Sequence, residues 1–134
     1  MSELESISEF SDNRNIYTIN LCNLCILIMN KNVLENIREK FHNGEYAVSD
    51  HAIIEARKDG IEPQTVTKLE WVAIHGKVIE EYPDRQRILI YAELPKDKLP
   101  VHIVVEYSFR EEPVIVTSYV PDSRYWIKYQ IRKK

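Results

Sequence analysis

The residue order predicts an α+β fold: N-terminal helices followed by a four-stranded antiparallel β-meander. Three observations carry this expectation. Apolar residues recur at helical spacing between Asn32 and Gly76, they alternate from Lys77 onward, and the segments joining successive strands are short. Short connections join antiparallel neighbours, whereas a parallel pair needs a crossover of a dozen or more residues. Helices that precede a run of strands pack on one face of the sheet.

Each element has its own signal. Asn32 caps the first helix, Glu35 follows at capping-box spacing, and Val33, Leu34, Ile37 and Phe41 form its apolar stripe, with Gly44 as the stop. Tyr46–Val48 reads as an extended lead-in to a second helix, Asp50–Asp59, capped by Ser49 or Asp50 and stopped by Gly60. Ala52, Ile53 and Ala56 are its buried stripe. A third helix starts at Pro63, a residue suited to the first helical position, and runs through Val66, Leu69, Val72 and Ala73 to Gly76. The strands are Lys77–Tyr82, Gln86–Leu94, Val101–Phe109 and Val114–Val120. Pro83-Asp84-Arg85, a loop from Pro95 to Pro100, and Arg110–Pro113 connect them.

At 134 residues the chain has the length of a single domain and needs no disulfide or metal to hold a core. An apolar content of 44% and a charged content of 29% argue against disorder, and a net charge of -3 argues against a uniformly basic nucleic-acid binder. Only Cys22 and Cys25 are present, so a disulfide framework is excluded and a reducing compartment fits. The apolar stretch Ile16–Met29 holds Asn20 and Asn23 and is shorter than the roughly 20 residues of a spanning helix. Its acidic flank is wrong for a signal peptide. A cytoplasmic protein without membrane contact is expected. Residues 1–28 read as an extension upstream of a start at Met29, and 29–134 as one α+β domain.

Few residues carry chemistry. Cys22-Asn23-Leu24-Cys25 is a lone C-x-x-C, half of what a structural zinc site takes, and no βαβ unit accompanies it as in a redox site. No P-loop, G-x-S-x-G, H-E-x-x-H or dinucleotide fingerprint appears, so no cofactor or metal is expected. His51 lies in the first turn of the second helix, with Glu55 and Lys58 on its face at helical spacing. It is either a proton-transfer group or a histidine that hydrogen-bonds locally and seats the helix on the sheet. Alternation puts His102, Val104 and Glu106 on one sheet face and Val101, Ile103 and Val105 on the other. Ile115, Thr117 and Tyr119 share a face of the last strand, and a common face for His102, Glu106, Thr117 and Tyr119 would be half polar. His42 and His75 fall near helix ends, as surface or capping residues. From Asp122 to Lys134 five positive charges face one negative, with Tyr125, Trp126 and Tyr129 interleaved. That stretch either contacts phosphates and bases or packs its aromatics on the sheet and leaves its lysines solvated.

Tyr46–Ile61, Pro100–Val105 and Val114–Asp122 together resemble the domain of unknown function 4258 family, over about Tyr46 to Trp126. That family is similar to the group of small metal-independent ribonucleases and toxins with a barnase, EndoU, colicin and RelE-like fold, some encoded beside an antitoxin. The resemblance implies a RelE/barnase-like arrangement, a toxin-like ribonuclease activity, RNA as substrate and a cognate antitoxin protein as partner. Carried onto this chain it picks out His51, Arg57, His102, Thr117 and Tyr119. His51 would be base or acid, Arg57 would hold the phosphate, and Thr117 and Tyr119 would position it. Residues six apart on a helix point about 120° away from each other. Lys58 therefore suits the cation role beside His51 better than Arg57, and Arg124 of the basic tail is a further substrate contact. The alternative is a non-catalytic module that binds RNA or a protein partner through its open sheet face and tail.

Overall fold

The structure, a computed structural model, describes residues 32–108 and 111–134. The chain divides into two units, Met1–Glu35 and Asn36–Lys134, and the fold that follows belongs to the second from Asn36 onward. Cys22, Cys25, the proposed extension 1–28 and the start at Met29 lie outside the described residues. Helix α1 (residues 32–42) buries Ile37 and Phe41. It ends as expected at Gly44, whose φ of 78° is open to glycine, while Glu45 N–H returns to the Lys40 carbonyl at 2.8 Å.

Ala47–Val48 is a strand, β1, and α2 follows at Asp50–Lys58. Ser49 is the cap: its Oγ accepts from Ala52 N–H at 3.0 Å and donates to the Val116 carbonyl at 3.1 Å. Helix α3 spans Thr65–His75 and starts two residues later than expected. Pro63 does not open it, because Gln64 adopts a left-handed backbone (φ 59°), so the helical ladder begins only at Thr65.

Strands β2 (Lys77–Tyr82), β3 (Arg87–Glu93), β4 (Pro100–Glu106) and β5 (Val114–Tyr119) are consecutive antiparallel neighbours, with a 3-10 turn at Pro83–Arg85 between the first two. The sheet as a whole is not a four-stranded antiparallel meander. It is five-stranded and mixed, in the order β1-β5-β4-β3-β2, because β1 pairs parallel with β5 (Ala47 with Val114, Val48 with Ile115). A parallel partner needs a long crossover, and here α2 through β4 supply it. The expected end of the third strand, at Phe109, falls outside the described residues, and β4 closes at Glu106. A second, two-stranded sheet pairs β6 (Trp126–Ile127) with β7 (Ile131–Arg132). Lys128 and Tyr129 both have positive φ (52° and 63°) and Gln130 N–H bonds to the Ile127 carbonyl at 3.0 Å, the turn geometry that suits a tight hairpin. The basic tail is thus a hairpin with Trp126 buried.

The core lies between the helices and the sheet face carrying Ile88, Ile90, Val101, Ile103, Val105 and Ile115. Each such aliphatic side chain contributes about 1.5–3 kcal/mol when fully buried. Against this face come Ala52 and Ala56 of α2 and Leu69 and Val72 of α3, all without exposed surface. Among the described residues no helix is long and apolar enough to cross a membrane.

Gly76 ends α3 close against Ile90 and Tyr91 of β3. A Cβ there would stand 2.5 Å from Ile90 Cγ2 and the Val72 carbonyl oxygen, and 2.8 Å from the Tyr91 carbonyl oxygen. Arg38 Nη2 also donates to the Gly76 carbonyl. Replacing Gly76 by Ala is expected to destabilise the fold by about 1–3 kcal/mol through overpacking. Urea unfolding reads this as a lower midpoint at unchanged slope.

Candidate functional site

Alternation along β4 sends Val101, Ile103 and Val105 to the helices and His102, Val104 and Glu106 to the opposite, outer face. Register then decides which neighbours join His102. Tyr91 stands opposite it on β3 and Tyr119 on β5. The β5 strand does not alternate cleanly. Val105 pairs with Ile115 and Val104 with Thr117, so Val116 is an extra residue in a bulge. Ile115 and Ser118 consequently face the helices, and Thr117 and Tyr119 face outward. The expected common face for Ile115, Thr117 and Tyr119 is therefore corrected by one bulged residue. His102, Glu106, Thr117 and Tyr119 do share the outer face.

His102 has no exposed surface, although it lies on the sheet face away from the helices. The C-terminal hairpin covers it. His102 Nε2 lies 2.6 Å from the Tyr129 carbonyl oxygen and Nδ1 lies 3.2 Å from the Tyr119 hydroxyl. A carbonyl only accepts, so Nε2 carries the proton and Nδ1 accepts from Tyr119. The rings of Tyr91, Tyr119 and Trp126 meet the imidazole edge-on at centroid distances of 5.8, 5.2 and 4.6 Å. Desolvation pushes the His102 pKa below its ordinary value, against the opposing effect of the bond to Tyr129 and the charge of Glu80. The ring is neutral at physiological pH.

Next to this imidazole stands a second polar group. A register shift between Val78 and Glu80 leaves Ile79 as the bulged residue of β2 and turns Glu80 and Tyr82 to the outer face, opposite Leu89 and Arg87. Arg132 of β7 grips Glu80 with both arms of its fork: Nη2 to Oε1 at 2.9 Å and Nε to Oε2 at 3.2 Å. Its guanidinium also lies 4.6 Å from the centroid of the Trp126 ring. The Tyr82 hydroxyl donates to Glu80 Oε1. The hydrogen bonds from Arg132 hold the Glu80 carboxyl below the usual range, while burial raises the Tyr119 and Tyr82 hydroxyls above theirs. Farther along the face, Arg87 Nε reaches Glu106 at 3.4 Å.

The remaining sequence candidates lie elsewhere. Ser118 Oγ donates to the Ala52 carbonyl at 2.7 Å, which fixes α2 on the helix side of the sheet. His51, exposed in the first turn of α2, is therefore separated by the sheet from His102, Thr117 and Tyr119. The expected acid–base set does not assemble around both histidines. Arg57 and Lys58 are exposed on the same helix, and Lys58 pairs with Glu55 at 3.2 Å. Arg124 is held by Asp122 at 2.7 Å in the loop after β5. His75 sits at the end of α3, where its Nδ1 lies 3.1 Å from the Trp71 carbonyl oxygen, as a capping role requires. Sequence reasoning missed Glu80, Tyr82 and Arg132. Period-two alternation already pairs Glu80 with Tyr82 on one face; their placement beside His102 depends on the β2 bulge and on hairpin docking. Among the described residues no group of three or more His, Cys, Asp or Glu side chains is placed to hold a metal ion.

The chain matches no family model, no curated protein and no solved structure.

The buried neutral histidine sets the pH response of the fold. As pH falls below the ordinary histidine value of 6.5, the unfolded chain takes up a proton that folded His102 refuses, so stability falls through that window. Glu80 acts lower, because its depressed pKa contributes stability that is lost only below its ordinary value of 4.5. Urea unfolding between pH 7.5 and 5 is expected to show a decline that His102→Gln flattens. The same substitution costs about 1–3 kcal/mol at neutral pH, since it leaves the half-buried Tyr129 carbonyl or Tyr119 hydroxyl poorly paired.

Proposed function

We propose that this chain is a toxin-like, metal-independent ribonuclease with a RelE/barnase-like fold, which cleaves RNA in the cytoplasm and is restrained by a cognate antitoxin protein. The observation that carries the reading is the gathering of Glu80, Tyr82, His102, Tyr119 and Arg132 on the outer face of the sheet. Metal-free RNA cleavage needs an acceptor for the 2′-hydroxyl proton, a donor for the leaving 5′-oxygen and a cation for the phosphate. Arg132 is the cation. A phosphate that takes over its fork frees the ionised Glu80 carboxylate to accept the 2′-hydroxyl proton. Tyr119, kept protonated by burial and joined to His102 Nδ1, is the donor, and Thr117 beside it positions the phosphate. In this reading His51, Arg57 and Lys58 stand behind the sheet and touch no reacting atom.

A second reading is favoured by two facts. His102 has no exposed surface, and Arg132 is already paired by both arms. A domain with these properties binds RNA or a protein partner and cuts nothing.

Purified protein incubated with total RNA and a chelator separates the two. Cleavage is expected to survive chelation, and Glu80→Gln and Arg132→Gln are each expected to slow it by about a hundredfold or more. His51→Ala should leave the rate unchanged; a loss in that variant would move the reaction to the helix side. Uncut RNA bound with a steep salt dependence establishes the binding-only reading with RNA as its ligand, and RNA neither cut nor bound removes the nuclease and leaves a module that binds a protein partner.

A further inference from the structure

Strand β2 is one of the two edge strands of the sheet, and among the described residues nothing pairs with its free edge. A row of unpaired backbone N–H and C=O groups is a template for another strand. Beside that edge, β2 and the C-terminal hairpin enclose a groove of about 300 Å³ lined by Val78, Ile79, Ile127, Ile131, Lys77 and Lys128, with Gln130 at its wall. Two of these aliphatic residues are unusually open, Ile127 at 45% and Ile131 at 62% exposure. The groove is held together by Lys77 Nζ, which donates to Gln130 Oε1 at 3.0 Å. Its charged lining is wholly positive. The nearest carboxylate described on β2, Glu80, is occupied by Arg132.

We infer that this edge and groove are a docking site for an extended segment of a partner protein, one that carries apolar side chains at alternate positions and flanking carboxylates. Backbone pairing with β2 supplies affinity without sequence demand, and the side chains that point to the hairpin supply specificity. Ile79, Ile127 and Ile131 take the apolar residues. Lys77 and Lys128 take the carboxylates. Because both charged residues that line the groove are lysines, charge complementarity selects an acidic partner segment. The site does not involve the reacting groups proposed above and stands or falls apart from them.

The probe is a phage-displayed library of random ten-residue peptides, selected on the full chain and counter-selected on Ile131→Asp. Enriched peptides are expected to alternate apolar and acidic residues. A synthetic copy should shift and protect the backbone amides of Lys77–Tyr82 in NMR spectra, and proline placed centrally in it should abolish binding. Because Ile127 and Ile131 are solvent-exposed, Ile127→Asp and Ile131→Asp should keep the fold, verified by circular dichroism, and weaken the peptide by about tenfold or more. Absence of enriched peptides overturns the proposal, as do enriched peptides that are basic, indifferent to proline or mapped away from β2. Two further results overturn it: a concentration-dependent dimer formed through β2, which assigns the edge to a second copy, and RNA that shifts the groove amides in place of peptide.

Discussion

The hydrogen bond from His102 Nε2 to the Tyr129 carbonyl holds the C-terminal hairpin on the sheet, and the outer face takes its character from that contact. An imidazole on a half-exposed strand ordinarily meets water. Here three aromatic rings close around it and both nitrogens find partners inside the protein. The cost of burying the ring is offset because no polar atom is left unpaired. With the hairpin in place, Arg132 is delivered to Glu80 and Trp126 to the sheet, so one buried contact organises residues from β2, β4, β5 and β7.

The sheet itself is a wall that divides the chemistry of the molecule. On the helix side, Ser49 and Ser118 bind α2 to β5 through backbone carbonyls, and the faces between them are aliphatic. That packing leaves His51, Arg57 and Lys58 pointing into solvent behind the wall. On the outer side, carboxylate, guanidinium, phenol and imidazole lie together in a partly dehydrated setting, where their mutual effects on protonation are strongest. The two histidines that a sequence motif places in one constellation occupy separate environments, one solvated and one sealed.

Two bulges adjust that wall. The extra residue at Val116 lets Ile115 and Ser118 serve the core while Thr117 and Tyr119 serve the outer face. The one at Ile79 turns Glu80 and Tyr82 outward and twists the free edge of β2. Each is a single-residue change of phase with consequences for every side chain beyond it.

Periodicity was enough to establish the α+β class, the three helices within a residue or two, the four antiparallel strands, and the polar face of β4 with His102 and Glu106. These are local properties: the spacing of apolar residues dictates which side of an element is buried, whatever it packs against. The parallel docking of Ala47–Val48, the bulges and the sealing of His102 by the tail were decided by tertiary structure alone. Each depends on groups distant in sequence meeting in space, as Val48 meets Ile115 and Arg132 meets Glu80. No local pattern encodes that meeting, because the free energy that selects it belongs to the assembled contact and to neither segment by itself.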